Sequence, residues 1–228
     1  MKIEEKFFQR KRFVPDRMTE FGFERTDGGY VYRADIMGGD FSAEIFVGDG
    51  GDIRGKVVDK MNDEEYVRFR TDEMSGAYVS SVRASYEELL SLIGENCCHD
   101  VLFASEQANR ITELIYEKYG VRPDFPFHDE NAAAGVFRHT DTSKWFGLIM
   151  NIKRRYLVAD GEGYVDVMNL KADVFGGVEY KTGVYPAFHM NHKMWISVTL
   201  DDALSDAEVM ELVDKSFFLT GKKKKKKS

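Results

Sequence analysis

The stretch Tyr185–Val198, with the sequence YPAFHMNHKMWISV, predicts a turn that leads directly into a strand. Pro186 and the polar residues after it are typical of turns, whereas the part that begins at Trp195 is aromatic and β-branched, as in strands. We expect His189 to donate a hydrogen bond that fixes the turn, and Asn191 to satisfy neighbouring backbone groups. The alternative is that His189 serves as a ligand or in catalysis.

The residues around this stretch predict a sheet accompanied by two helices. Apolar positions at helical spacing follow Ser105 as far as Gly120, and the capping-box sequence at Ser205–Glu208 begins a second helix. Between these helices lie segments with the residue pattern of strands, at Gly135–His139, Trp145–Ile152, Tyr164–Leu170 and Trp195–Leu200. This half of the chain therefore predicts an antiparallel sheet with a helix before it and a helix after it.

The first half of the chain predicts a similar order of elements. We expect an amphipathic helix within residues 1–20 that stops near Pro15, and a helix that begins at the capping box Ser85–Glu88 and ends at Cys97 and Cys98. Glycine-rich turns separate the strands that are predicted between them, at Tyr30–Ile36, Phe41–Val47, Ile53–Val58 and Tyr66–Arg70. The adjacent cysteines predict reduced, buried thiols, because a disulfide between neighbours is strained.

Together these patterns predict an α+β protein with two antiparallel-sheet modules, each flanked by helices. We assign the first module to residues 1–104, the second to residues 105–220 and a disordered, lysine-rich tail to residues 221–228. The chain has no run of about 18 apolar residues, and Met1–Lys6 lacks the apolar stretch of a signal peptide. We therefore expect a cytoplasmic protein without a membrane partner.

The charge of the chain bears on its partners. The formal net charge is -7, and residues 105–221 carry 12 basic and 18 acidic side chains. Because phosphate binding usually requires a basic face, this balance argues against tight nucleic-acid binding. Basic residues are nevertheless clustered at Arg10–Arg12, Lys153–Arg155 and Lys222–Lys227. The cluster Lys153–Arg155 follows a predicted strand, so it is either the solvated end of a hairpin or a wing tip that contacts phosphates.

The sequence carries no motif that indicates catalysis or a cofactor. It has no Gly-x-Ser-x-Gly sequence and no glycine-rich phosphate loop, and neither cysteine has a recognisable activating partner. His189 and His192 would suit a metal only on a helix or with further ligands, and the spacing of Cys97, Cys98 and His99 does not match a zinc site. We therefore predict no enzyme activity, no cofactor and no bound metal.

The opening stretch resembles the signature of the MmcQ/YjbR family. In that family an aromatic residue precedes His-(Leu/Met)-Asn-Lys, and a Trp then begins a strand that ends in an acidic turn; Phe188–Asn191 and Trp195–Asp201 match this order. His192 stands where the family commonly has Lys, and Met194 where it commonly has His. Further similarity lies in Asp124–Phe127 and in the closing helix, so the resemblance covers the second module, about half of the chain.

The resemblance implies a DNA-binding protein with a double-wing motif and a fold similar to frataxin-like or secretion-chaperone-like sandwiches. Our first hypothesis is therefore a non-enzymatic protein that binds DNA weakly, in a salt-sensitive manner, through its second module. The residues that we expect to carry this binding are Lys153, Arg154, Arg155, His189, Asn191 and Lys193. The alternative is a protein-interaction or small-ligand module with an apolar groove. The residues expected to line that groove are Phe125, Phe127, His189 and Trp195.

Overall fold

The computed structural model describes residues 2–71, 76–127, 133–173 and 181–222. The chain divides into two compact units, Met1–Val101 and Leu102–Ser228. Each unit contains an antiparallel sheet with helices, so the predicted α+β class with two sheet modules is confirmed. Within the described ranges, no helix is long and apolar enough to cross a membrane.

The N-terminal unit is built around a sheet whose neighbouring strands follow one another in sequence. Its elements in chain order are α1 (Ile3–Phe8), β1 (Lys11–Phe13), α2 (Pro15–Phe21), β2 (Glu24–Thr26), β3 (Gly29–Ile36), β4 (Phe41–Gly48), β5 (Ile53–Asp59), β6 (Glu64–Glu65), α3 (Ala77–Cys97) and β7 (Cys98–Asp100). Strands β2 to β6 pair in sequential order, and β1 pairs with β7 in a separate antiparallel ribbon. Strands β3, β4 and β5 confirm three of the predicted strands.

The alternation of side chains along β4 decides which face of this sheet is buried. Successive side chains of a strand point to opposite faces, so every second residue of β4 belongs to the same face. These residues are buried in the core together with α3, and they are Phe41, Ala43, Ile45 and Val47. The opposite face is charged: Arg33 Nε donates a hydrogen bond to Glu44 Oε2 at 2.8 Å across β3 and β4.

A buried carboxylate links three elements of this unit. Glu4 is fully buried; its Oε1 accepts a hydrogen bond from the Tyr86 hydroxyl (2.5 Å), and its Oε2 accepts one from Arg70 (3.1 Å). Arg70 also donates to the carbonyl of Gly55 (2.6 Å). Burial alone would raise the pKa of Glu4, but the hydrogen bonds from Arg70 and Tyr86 outweigh it and lower that pKa. One polar network therefore joins α1, β5 and α3.

The prediction of a single helix within residues 1–20 is wrong. Helix α1 ends at Phe8, and Lys11 and Arg12 of the basic cluster lie in β1, which pairs with β7. Pro15 begins α2 instead of stopping a helix. Proline is tolerated there because the N–H groups in the first turn of a helix have no partners within the helix. The first basic cluster is therefore not the polar side of a helix.

Two further predictions for this unit are wrong. Tyr66–Arg70 is not a strand, because the sheet ends at β6 and Arg68–Arg70 forms a 3-10 turn. Helix α3 begins at Ala77, so the capping-box sequence at Ser85 lies inside the helix. The turns before Ser85 continue the apolar face that packs on the sheet, which explains why the helix begins earlier than its capping-box sequence.

The two cysteines occupy the junction between α3 and β7. Cys97 is the last residue of α3, Cys98 is the first residue of β7, and both are buried and free. Burial raises the pKa of Cys97 to about 11 and that of Cys98 to about 12. The prediction of buried, reduced thiols at a helix end is confirmed, and these thiols stay protonated at neutral pH.

The C-terminal unit has the predicted order of helix, sheet and helix. Its elements are α4 (Glu106–Tyr119), β8 (Gly135–Arg138), β9 (Trp145–Lys153), β10 (Tyr164–Lys171), β11 (Val184–Pro186), β12 (Trp195–Thr199) and α5 (Asp206–Thr220). The strands pair antiparallel in the order β11-β12-β10-β9-β8. Strands β8, β9, β10 and β12 confirm the predictions, whereas the short edge strand β11 was not predicted.

The predicted start and end of α4 and the predicted start of α5 are confirmed. The Ser105 hydroxyl accepts a hydrogen bond from the Ala108 N–H at the start of α4, and Gly120 ends that helix in the left-handed conformation. Ser205 and Glu208 form the capping box of α5. Both helices pack on the same face of the sheet, and the core between them contains Ile111, Ile115, Ile149, Met168, Leu170, Ile196, Val198, Val209 and Val213.

Candidate nucleic-acid interface

The loop between β11 and β12, residues 187–194, is here called the signature loop. It lies on the face of the C-terminal sheet that is opposite α4 and α5. Phe188 packs on a cluster of side chains from β9 and β10, namely Ile152, Val165 and Val167. Met190 packs on a neighbouring cluster that includes Val136 of β8 and Leu148 of β9. The two apolar residues of the signature therefore shield this face of the sheet from water.

A buried polar pair fixes the position of the signature loop. Asn169 of β10 and Ser197 of β12 lie opposite each other in the sheet, and both are fully buried. Asn169 Nδ2 donates to the Phe188 carbonyl (2.8 Å), the Phe188 N–H donates to Ser197 Oγ (2.8 Å), and Ser197 Oγ donates to Asn169 Oδ1 (2.5 Å). Both backbone polar groups of Phe188 are thereby satisfied beneath the loop.

The turn itself is closed by Asn191. Its side-chain Oδ1 accepts a hydrogen bond from the Lys193 N–H (2.9 Å), and its carbonyl accepts from the N–H groups of Met194 (2.9 Å) and Trp195 (3.0 Å). The backbone bonding that the sequence predicts for Asn191 is therefore confirmed. The side chains of Asn191 and Lys193 are exposed.

His189 does not have the bonding that the sequence predicts. Its backbone is left-handed, with φ 55°, and its exposed imidazole lies 4.0 Å from the ring of Phe188. Among the residues that the structure describes, the imidazole has no hydrogen-bond partner, so the predicted bond that would fix the turn is not formed. The ring is held at the surface by its contact with Phe188.

The connection between β9 and β10 brings a second group of predicted residues to this surface. Arg154–Tyr156 forms a 3-10 turn, and the Tyr156 ring stacks on Phe188 with a centroid distance of 5.1 Å and an interplanar angle of 20°. The Arg155 guanidinium lies 5.6 Å from the centroid of the Tyr156 ring. Arg155, Tyr156, Phe188 and His189 therefore form one surface, here called the aromatic-cation patch.

The other residues of the basic cluster are less exposed than Arg155. Arg154 Nη1 donates to Asp201 Oδ2 at 2.8 Å, and Lys153 is half-buried at the end of β9. Burial would raise the pKa of Asp201, but hydrogen bonds from Thr199 and Arg154 outweigh it and lower that pKa. Arg154 therefore ties the β9–β10 connection to the acidic turn after β12, and Arg155 is the arginine that faces solvent.

Comparison with known proteins identifies the family to which the C-terminal unit is similar. The YjbR family model matches residues 116–219. The Bacillus subtilis (strain 168) protein YyaQ, described as uncharacterized, is 36% identical over 112 residues, which are 48% of this chain and 94% of YyaQ. The chain belongs to the YjbR family. Its YjbR part is the C-terminal unit, and the signature loop that covers the sheet is the resemblance first visible in the sequence.

Solved structures also resemble the YjbR part of the chain. A crystal structure of a Pseudomonas syringae protein is 35% identical and has a TM-score of 0.46; the match covers 51% of this chain and 99% of that chain. A Deinococcus radiodurans protein with the family-model domain DUF419 is 24% identical and has a TM-score of 0.35; that match covers 49% of this chain and 78% of that chain.

The predicted groove residues of the YjbR unit are distributed over separate contacts. Phe125 lies on the helix side of the sheet, 5.9 Å from Phe103, whereas Phe127 contacts Trp145 edge-on at 6.0 Å on the opposite side. Trp195 is half-buried, and the Lys171 ammonium lies 5.6 Å from its ring. His189 contacts Phe188, as described above. Tyr156 and Phe188, which were not predicted to line the groove, adjoin one another at the surface.

The structure also contains a cavity of about 680 Å³ between α5 and the sheet. Its lining includes apolar residues such as Val184, Ile196 and Leu204, together with lysine and acidic side chains. None of the predicted binding residues lines it. Within the described ranges, no group of three or more His, Cys, Asp or Glu side chains is arranged to hold a metal ion.

Asn169, Ser197 and the stacking of Tyr156 were not predicted from the sequence. A polar residue such as Asn169 within an otherwise apolar strand is the signal that could have identified the buried pair, because a buried amide requires a partner. The stacking of Tyr156 on Phe188 depends on the order of the strands, which the sequence does not specify.

Proposed function

We propose that the C-terminal unit of this YjbR-family protein binds nucleic acid without catalysing a reaction, and that the aromatic-cation patch is the contact surface. The observation that carries the proposal is the stacking of Tyr156 on Phe188, with Arg155 and His189 at the same surface. Aromatic rings beside cationic side chains are the chemistry that recognises both parts of a nucleotide, its base and its phosphate.

The acidic character of the unit sets the strength of this binding. Residues 105–221 carry 12 basic and 18 acidic side chains, so the long-range field opposes a polyanion. Close contacts must come from few cations, of which Arg155 lies at the patch itself. Few phosphate contacts give weak affinity and a small dependence on salt concentration. The surface that we propose is therefore local and does not extend over the whole unit.

The lysine tail must be separated from this surface in any test. Lys222 Nζ is paired with Asp141 at 3.0 Å, and residues 223–228, on which the predicted disorder of the tail also falls, lie outside the described residues. A variant in which Lys223–Lys227 are each replaced by Ser retains the Lys222 ion pair and removes five positive charges. Binding that survives in this variant belongs to the rest of the chain.

The variant with Ser at positions 223–227 is here called the tail-neutral protein. The decisive measurement is the fluorescence anisotropy of a labelled oligonucleotide that is titrated with this protein over a salt series. We expect binding that is measurable at low salt, and we expect Arg155→Ala to weaken it and to reduce the slope of log K against log salt by about 1, because one phosphate contact is lost. Arg154→Ala is the matched control. It removes the ion pair with Asp201, so it should lower the melting temperature and change the affinity less than Arg155→Ala does.

Two results would contradict the proposal. One is the loss of all binding when the tail is neutralised, which would assign nucleic-acid affinity to the lysines alone. The other is an equal effect of the Arg154 and Arg155 substitutions on affinity in folded protein, because the two guanidinium groups differ in what they contact.

A further inference from the structure

We infer that the aromatic-cation patch accepts unpaired nucleobases, so that its ligand is single-stranded rather than duplex nucleic acid; this inference rests on the proposed function. Tyr156 is 52% exposed although its ring is stacked on Phe188. An aromatic ring left in water in this way offers a face on which a base can stack.

The position of the Tyr156 ring is fixed by the residues that it packs on and by its own turn. Phe188 packs on Ile152, Val165 and Val167, and its N–H and carbonyl are bonded to Ser197 and Asn169. Tyr156 itself belongs to a 3-10 turn whose first residue, Arg154, is tied to Asp201. The stack is therefore held before any ligand arrives, and little conformational entropy is lost when a base adds to it.

The charges around the patch favour a single strand over a duplex. The stacked bases of a duplex are enclosed between two phosphate backbones. A protein that binds a duplex without inserting a helix or a β-ribbon into the major groove therefore relies on many phosphate contacts. Here Arg154 is already paired, and the same connection between β9 and β10 contains the exposed carboxylates of Asp160 and Glu162. A single strand needs fewer phosphate contacts, because stacking supplies part of its binding energy.

Arg155 supplies the positive charge that such a nucleotide needs. Its guanidinium lies over the Tyr156 ring, 5.6 Å from the ring centroid, so a base that stacks on this ring meets the cation directly. The phosphate next to a stacked base is therefore within the field of one cation, which fits a site for one or two nucleotides and not a long track along a backbone.

The test compares a labelled oligothymidylate with a duplex of the same length, both titrated by anisotropy with the tail-neutral protein. We expect the single strand to bind more tightly than the duplex. Tyr156→Leu retains an apolar contact with Phe188 but removes the aromatic face, so it should weaken single-strand binding by roughly 5- to 100-fold and change duplex binding by less than about twofold. Tyr156→Phe retains the ring and should bind as the unsubstituted protein does.

Tyr164 provides a matched control in the same connection. It is 40% exposed at the start of β10, and its side chain points away from the face that carries Val165 and the patch. Tyr164→Leu should therefore leave single-strand binding unchanged. Circular dichroism of each variant establishes that the fold is retained.

The outcomes separate this inference from the proposed function. If duplex binds as tightly as single strand and Arg155→Ala weakens both, nucleic-acid binding stands and the preference for unpaired bases is overturned. The preference is also overturned if Tyr164→Leu has the same effect as Tyr156→Leu. If the tail-neutral protein binds neither oligonucleotide, the proposed function and this inference both fail.

Discussion

At the scale of single residues, the signature loop contains a backbone conformation that its side chain does not favour. His189 has a left-handed φ of 55°, a region in which a residue with a Cβ is strained and glycine is not. The structure offers no hydrogen bond of the imidazole that would offset this strain within the described residues. A histidine at this position therefore costs stability, which is the pattern expected when a side chain is retained for binding.

Substitution of His189 by Gly tests this directly. We expect His189→Gly to leave the stability of the C-terminal unit unchanged or to raise it by up to about 1 kcal/mol, because the strain is relieved. His192→Gly, at an exposed position without a positive φ, should lower stability by about 0.5–1 kcal/mol. Urea unfolding followed by tryptophan fluorescence measures both, since Trp145 and Trp195 both lie in this unit. If both variants lose the same amount of unfolding free energy, the backbone of His189 is not strained.

A second residue gives the C-terminal unit a dependence on pH. His139 is buried, its Nε2 lies 2.8 Å from Thr220 Oγ1, and its ring lies 4.2 Å from that of Phe217. Burial lowers the pKa of His139, because the charged imidazolium is poorly solvated there. The unfolded chain therefore binds a proton near pH 6.5 that the folded chain does not bind, and stability must fall as the pH drops through that value.

The pH dependence can be assigned by substitution. We expect the free energy of unfolding to be lower at pH 5.5 than at pH 7.5 in the unsubstituted protein, and the difference to be smaller in His139→Gln. The carboxylates of Asp201, Asp206 and Asp214 have lowered pKa values, so their contributions to stability are lost only at more acidic pH. If the difference in unfolding free energy between pH 5.5 and pH 7.5 is unchanged in His139→Gln, another group titrates between these pH values.

At the scale of elements, Gly55 allows β5 to pack closely against side chains of α1 and α3. A Cβ added at Gly55 would lie 1.7 Å from the Tyr86 hydroxyl and 2.4 Å from Glu4 Oε1. We expect Gly55→Ala to destabilise this unit by about 2–4 kcal/mol, because the buried network must move to make room. Hydrogen exchange measured by mass spectrometry on peptides from α1 and α3 would report the loss of protection.

Gly50 is the matched control for that experiment. It lies in the turn between β4 and β5, an added Cβ would meet nothing within 4 Å, and its φ is not in the left-handed region. Gly50→Ala should therefore leave the exchange rates of α1 and α3 unchanged. Similar exchange in both variants would mean that the network tolerates the extra methyl group.

How far the sequence predicts an element depends on whether its ends are defined locally. The start of α4 at Ser105, its end at Gly120 and the capping box at Ser205 were predicted correctly, because each is a contact between residues a few positions apart. The strand β1 was missed because Lys11 and Arg12 become a strand only through pairing with β7. Local polarity made the same residues resemble the outer side of a helix.

At the scale of the whole molecule, the sequence predicts two sheet modules but not the binding surface. Lys153–Arg155 and His189 were each identified as candidates from composition and from family resemblance. That Arg155 and not Arg154 faces solvent, and that Tyr156 rests on Phe188, follows from the strand order β12-β10-β9 and from the ion pair with Asp201. Long-range pairing of this kind leaves no signal in a local pattern.

The ribbon of β1 and β7 also bears on the synthesis of the protein. Lys11 of β1 pairs with Asp100 of β7, and the Tyr86 hydroxyl of α3 donates a hydrogen bond to Glu4 of α1. The first elements of the N-terminal unit therefore depend on contacts with its last elements. On the ribosome, α1 and β1 emerge before α3 and β7, and they lack these partners until the chain has been extended to β7. The apolar side of α1, with Phe7 and Phe8, therefore stays without its partners for most of the time that the unit takes to be translated.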